Sequence, residues 1–444
     1  MRILSITVGG FRNIEKTTFE LGGIVGLVSA NNYGKTNVLD AISFAIDFMQ
    51  ASLRERSNMM GVVGCMPLSP KLADDCLTFA IELEDPDLGE YRFVRYGFSF
   101  AWAKDDGGGR SIVDETLEIN SKRGGLWSSY LKRSEGKFRA SHDTRYFRSM
   151  NLEGSQLAID VLTSIDDIDI NPAIRLIKQV SCGVCDSLDA AGRYSSVPFE
   201  FVDSSSEEQG VMFDDDDLPR ALYRLKLADP ERFETFRYAV LALFPDFEDI
   251  SVNAYEVRQE TKDRLGFFGA TVSPEGADGL RSDGVPFHIR DELYKVSVSS
   301  RHLNQPVNIS MMSTGTKRMI WLIANVVIAG RQGASLIGVE EIETSIHPRM
   351  IQELLEIIDE NLGNTGMIVT SHSPYLIQYL KPRCLYVGVP NEEGIASFKK
   401  VRDQAMPSLM KAARERGFGF GEYLFSLMSS DEDGALVLSS YLED

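Results

Sequence analysis

Residues 29–36 read Ser-Ala-Asn-Asn-Tyr-Gly-Lys-Thr, a match to the pattern GxxxxGK[ST] except that Ser29 replaces the first glycine. A loop of this kind works because backbone N–H groups surround phosphate oxygens at a helix N-terminus, where the peptide dipoles favour negative charge. Within it Lys35 would reach β- and γ-phosphates, and the Thr36 hydroxyl would be offered to Mg2+. Asn31 and Asn32 tolerate left-handed backbone better than most residues. Ser29, Ala30, Asn31, Asn32, Tyr33, Gly34, Lys35, Thr36 and Asn37 are therefore candidate nucleotide contacts. Far along the chain, the apolar run 335–339 ends at Glu340 and Glu341. A carboxylate at the end of a buried strand can hold Mg2+ through water, and the next one can orient or deprotonate an attacking water. The competing reading is two exposed acids at a strand end. Ser313, Gly315 and Thr316 open a helical pattern, where a polar start suits an anion and equally suits an ordinary cap. His372 follows the apolar run 367–370, a place where a lone histidine is more often part of a core.

The surrounding patterns supply the elements that must hold these residues. Residues 3–8, 17–21 and 24–28 read as strands, the last a short apolar run suited to burial. From Lys35 the period changes, and Val38, Leu39, Ile42, Ala45, Ile46 and Met49 fall on one helical face. Strand, loop and helix thus meet at 29–36. Short alternating pieces between 76 and 120, divided by turn signals, predict an antiparallel sheet; 150–250 reads as mainly helical, interrupted by an acidic loop at 203–217. A strand pattern returns at 294–299. The last third alternates helix (316–329), strand (335–339), helix (348–361) and strand (367–370), which predicts a parallel sheet covered by helices.

Five segments in this order, GFRNI near the N-terminus, SANNYGKTNVLDAI, MSTGTKR at 312–318, IGVEEIETSIHP at 337–348 and VTSHSP at 369–374, resemble the ABC-type ATPase heads of the OLD and RecF-like group. The resemblance covers residues 1–50 and 310–376 and is thin between them. It implies an α/β fold of mixed and parallel sheets covered by helices, with a mainly helical insertion. The implied segments are a first ATPase lobe at 1–120, the insertion at 121–290, a second lobe at 291–390 and a tail at 391–444. MSTGTKR corresponds to the family's signature motif, so Ser313, Gly315 and Thr316 would contact the γ-phosphate of ATP held by a second protomer. Glu340 stands where the family usually has Asp to hold Mg2+, Glu341 takes the position of the catalytic base, and His372 matches the histidine that senses the γ-phosphate. His347 and Pro348 match an element that caps and opens the next helix. Arg12 matches an arginine near the nucleotide phosphates in related repair ATPases, with a surface or turn role as its competitor. The glutamine of the family's Q-loop is not assigned, since none occurs between Gln50 and Gln156.

Such a head cannot complete its own site, so the resemblance implies a homodimer or higher homo-oligomer closed around ATP that passes a conformational signal to a separate, nuclease-like effector. The setting it suggests is anti-phage defence or DNA maintenance. Only 72 residues follow His372, and the one Asp-x-Asp near the end, 431–433, lacks a preceding strand pattern, so a built-in Toprim nuclease is not expected. A nucleotide-gated scaffold with little hydrolysis, motivated by Ser29, Tyr33 and Glu340 as departures from the usual pattern, and, less favoured, a transporter ATPase subunit are the alternatives. The net charge of −19 argues against broad nucleic-acid binding. One local candidate stands against it: Lys132, Arg133, Lys137, Arg139, Arg145 and Arg148, interleaved with aromatic rings. Balancing of an acidic surface is the plainer reading of that patch. The longest apolar run, 319–329, is too short to span a bilayer, and no export signal is read at the start, so a cytoplasmic location is the expectation. Cys182 and Cys185 form a single CxxC without partners for a zinc set.

Overall fold

The computed structural model describes all residues except 73–75, 105, 141–145, 166–168, 186–191, 195–198, 202–212, 214–215, 261–286, 390–393, 430–431 and 444. The chain divides into two compact units: Met1–Asp186 with Gly333–Glu343 and Leu362–Asp444, and Ser187–Gln332 with Thr344–Asn361.

In the first unit, period-two alternation builds an eight-stranded antiparallel sheet. Its order is Thr17–Glu20, Arg2–Gly9, Leu77–Glu84, Phe93–Ala101, Ser111–Asn120, Ser128–Lys132, Lys137–Phe138 and Arg148–Ser149. Leu77, Phe79, Ile81 and Leu83 show the alternation plainly, all buried on one face. A second, six-stranded sheet runs Cys182–Cys185, Leu336–Val339, Gly366–Ser371, Ile24–Val28, Leu385–Gly388 and Phe398–Lys400. Its first five strands are parallel and the last is antiparallel. Ile24–Val28, Leu336–Val339 and Gly366–Ser371 are buried throughout, as strands covered on both faces must be.

The helix Lys35–Gln50 leaves the strand Ile24–Val28 through the 29–34 loop and buries the six apolar residues that its period selects. Phe48 on this helix stacks on Phe98 and Phe100 of the antiparallel sheet, with ring centroids 5.2 and 4.6 Å apart. Its C-terminal carbonyls are met by cations: Arg56 Nε donates to Phe48 O (2.8 Å), Arg56 Nη2 to Met49 O (3.0 Å) and Lys178 Nζ to Met49 O (2.8 Å). Positive charge suits that end of a helix, and Asp160 pairs with both cations. The helix that begins at the loop is thus fixed at its far end.

Residues 121–290 carry strands as well as helices. The strands between 128 and 149 continue the antiparallel sheet, and Cys182–Cys185 becomes an edge of the parallel one. The second unit carries the helices Leu218–Ala228 and Pro230–Leu243, each capped by an aspartate and opened by a proline. It also carries a three-stranded antiparallel sheet of Phe247–Glu256, Glu292–Ser300 and Val307–Asn308. The acidic stretch 203–217 lies largely outside the described residues; Asp217 at its end is a buried cap, paired with Arg290 at 2.7 Å. Every residue of the apolar run 319–329 is buried within the helix Thr314–Gln332, and among the described residues no helix is long and apolar enough to cross a membrane.

The chain after residue 391 belongs to the first unit. Phe398–Lys400 closes the edge of the parallel sheet, and Glu443 N donates to Lys400 O at 2.8 Å. At Gly421 a Cβ would lie 2.0 Å from Pro374 O, so the helix Phe420–Met428 packs at backbone contact.

Candidate functional site

Positive φ at Asn32 (59°) and Gly34 (113°) lets the 29–34 loop curl under the start of Lys35–Gln50. Gly34 is the N-cap and no side chain caps the helix, so the N–H groups of its first turn are left for a ligand. An open cleft of about 630 Å3 lies there, lined by Asn31, Asn32, Tyr33, Gly34, Lys35, Thr36, Asn37, Glu340, Glu341 and Thr370. An uncapped helix start beside a lysine is a donor set that fits phosphate oxygens. Lys35 is almost buried, and its ammonium donates to Ser29 O and Ala30 O, both at 3.0 Å. Desolvation pushes its pKa down, while Glu341, Glu343 and Glu340 oppose that shift.

The two irregular residues of the loop have a common physical reason. Gly388, on the neighbouring strand, approaches so closely that a Cβ there would lie 2.5 Å from Tyr33 Cδ1 and 2.6 Å from Ser29 Cβ. Ser29 and Tyr33 occupy space that the missing side chain of Gly388 leaves open. The Tyr33 hydroxyl then donates to Val389 O and accepts from Ser397 N (3.3 Å), and burial raises its pKa to about 12. Gly388→Ala is expected to destabilise the protein by about 1–3 kcal/mol through overpacking, read as a fall in the thermal midpoint. An unchanged midpoint would show that the loop relaxes freely.

Asn13, which sequence reasoning passed over, ties this loop to its surroundings. Its amide donates to Gly394 O (3.1 Å) and Tyr33 O (3.4 Å), and its Oδ1 accepts from Asn37 Nδ2 (2.7 Å). Beside it Arg12, at φ 46°, donates to Asn37 Oδ1 (2.7 Å), Gly64 O (3.0 Å) and Asp40 Oδ2 (2.5 Å). The guanidinium is therefore engaged with the helix behind the loop, and Arg12 does not line the cleft.

On the facing strand ends, Glu340 and Glu341 enter the cleft where Leu336–Val339 stops. Glu341 adopts φ 42°, uncommon for a residue with a long side chain, and its N–H donates to Thr370 Oγ1 at 3.1 Å. Its Oε1 lies 3.4 Å from His372 Nδ1. Glu343 was not found from the sequence: its Oε1 accepts from Ser371 Oγ (2.6 Å) and His372 N (3.4 Å). Two residues beyond Glu341, its place is legible, but its partners lie some thirty residues further on.

In the second unit, Ser313 Oγ accepts from Thr316 N at 3.2 Å and lies 2.9 Å from Thr316 Oγ1. Ser313 is exposed, and the glycine at 315 is required because a Cβ would lie 2.4 Å from Ser345 O. His347 Nδ1 accepts from Arg349 N at 3.3 Å, a cap on the helix that Pro348 opens.

Among the described cations of the basic stretch 132–148, four already have partners. Arg133 is turned inward onto Glu115 (3.5 Å) and the carbonyls of Glu153 and Gln156, while Lys132 and Lys137 both pair with Glu135 at 3.4 and 3.2 Å. Arg139 lies over the Tyr130 ring at 4.2 Å; Arg148 remains exposed, and Arg145 lies outside the described residues. Cys182 and Cys185 form no disulfide and stand three residues apart on one strand, a spacing that points them to opposite faces. Among the described residues no group of three or more His, Cys, Asp or Glu could hold a metal ion.

Residues 216–378 match a family model described as "AAA domain, putative AbiEii toxin, Type IV TA system". Among solved structures, the chain is similar to an Smc head bound to the C-winged helix domain of ScpA (14% identity, 92% of this chain and 100% of that one, TM-score 0.47). It is also similar to the SMC head domain from Thermotoga maritima (11%, 90% and 100%, 0.42). A third likeness is to the Smc head with an extended coiled coil bound to the C-terminal domain of ScpA, from Pyrococcus furiosus (12%, 93% and 99%, 0.46).

Proposed function

Taking the chain as an ATPase of the ABC/AAA kind, we propose that it binds ATP in the cleft at Lys35 and hydrolyses it to ADP and phosphate. The observation that carries this reading is the convergence of Lys35, Thr36, Glu340, Glu341 and Thr370 on one cleft, with His372 3.4 Å from Glu341. The first-turn N–H groups and Lys35 bind the phosphates. Thr36 and Glu340 would hold Mg2+, which when bound neutralises charge on the transferred phosphoryl group. Glu341 takes a proton from water as the water oxygen bonds to the γ-phosphorus and the bond to the ADP oxygen breaks. His372 keeps the Glu341 carboxylate turned toward that water.

Two copies close around two ATP molecules, with Ser313, Gly315 and Thr316 of one reaching the γ-phosphate held by the other, as the signature motif implies. Closure and reopening form the output, passed to a separate effector in phage defence or DNA maintenance. The reading as a nucleotide-gated scaffold is weakened because Ser29 and Tyr33, two of the departures that motivate it, are accommodated by Gly388; Glu340 is the departure that remains.

Sedimentation of the purified protein with and without Mg2+–ATP tests this, together with phosphate release. The expected result is an ATP-dependent doubling of mass with measurable turnover. Tight ATP binding with turnover at background would favour the gated scaffold, and absence of ATP binding would sink both.

A further inference from the structure

Two strand ends carry the proposed water-activating pair, Glu341 after Leu336–Val339 and His372 after Gly366–Ser371, and side chains lace those ends together. One tie runs from Glu341 N to Thr370 Oγ1. The other centres on Glu343, whose Oε1 accepts from the wholly buried Ser371 hydroxyl at 2.6 Å and from His372 N at 3.4 Å. Ser371 Oγ in turn accepts from Ser373 N at 2.9 Å, so the turn bearing His372 hangs on one carboxylate oxygen. The remaining oxygen, Glu343 Oε2, is buried without a hydrogen-bond partner. A carboxylate kept there despite that cost is held for its acceptor, and a charge-assisted bond of 2.6 Å is among the strong ones.

We propose that Glu343 is a positioning residue for hydrolysis: through Ser371 and the His372 amide it holds the His372 ring against Glu341. The proposal rests on the ATPase reading above for its effect on turnover, but the placement of His372 can be measured without turnover. A histidine displaced by about 1 Å would cost on the order of a hundredfold in rate while leaving phosphate binding to Lys35 and the loop untouched.

The test compares Glu343→Ala, Glu343→Gln and Ser371→Ala in the full chain. Backbone amide exchange at His372 and Ser373 is followed by NMR without nucleotide, and steady-state turnover is followed with Mg2+–ATP. In Glu343→Ala both amides should exchange about tenfold faster, the loss of one charge-assisted bond. Its kcat should fall about ten- to a hundredfold at unchanged KM. Ser371→Ala should do the same, the double alanine variant should be no worse than either single one, and Glu343→Gln, which keeps an acceptor oxygen but loses the charge, should fall between wild type and Glu343→Ala. Wild-type exchange in Glu343→Ala would overturn the proposal. A raised Mg2+ requirement with unchanged exchange would overturn it too, making Glu343 a metal ligand. Faster exchange in a protein whose wild type has no turnover would remove the ATPase reading and leave the placement of His372 supported.

Discussion

Glu341→Gln is expected to leave ATP binding intact or tighter while turnover falls on the order of a hundred- to a thousandfold, the contribution of a positioned general base. Glu341 is held at φ 42° by its own N–H bond to Thr370, so glutamine, equal in size and still donating that N–H, keeps the backbone and the cleft. What changes is the oxygen that accepts a proton and one negative charge from a cleft that Glu340 and Glu341 line together. With the charge gone, repulsion of the anionic nucleotide weakens while the bond-breaking step loses its base. The ATP-bound dimer should accumulate, visible as a doubled sedimenting mass that persists after wild type has reopened. Undiminished phosphate release from Glu341→Gln would assign the base elsewhere.

Much of this site was legible because its parts are local. The change of period at Lys35 marks a helix whose buried face is the one observed, and the buried runs ending at Glu340 and at Ser371 mark strand ends. What escaped was pairing across sequence distance. Phe247–Glu256 reads as polar because Ile250 and Val252 alone are buried, so its strand character comes from its partner Glu292–Ser300. Ser29 and Tyr33 look like defects of a phosphate loop until Gly388, more than 350 residues away, shows the space they fill. The basic stretch shows the same thing in reverse: composition counts six cations, but the fold turns Arg133 inward and sets Lys132 and Lys137 against Glu135. Charge in a sequence is a sum, whereas charge at a surface depends on which groups neutralise one another.

Lys35→Ala should act on the same cleft with the opposite sign. Its ammonium lies in the cleft with Glu340 and Glu341, its pKa pushed down by desolvation and supported by Glu341, Glu343 and Glu340, so its removal leaves those carboxylates facing an incoming triphosphate without it. Loss of a preorganised donor of this kind costs on the order of a hundred- to a thousandfold in catalysis, and here binding weakens with it. Ser29 O also loses its donor, at a cost of about 1–3 kcal/mol for a buried acceptor left unmet. The thermal midpoint must therefore be measured beside turnover, and a folded Lys35→Ala protein without ATP-driven doubling of mass is the expected outcome. Glu341→Gln and Lys35→Ala then both cut turnover while only Lys35→Ala lowers ATP affinity, which a merely unfolded or loosened cleft would not do. Affinity lowered alike in both variants would mean that shape, and not the balance of one lysine against the carboxylates, governs nucleotide binding here.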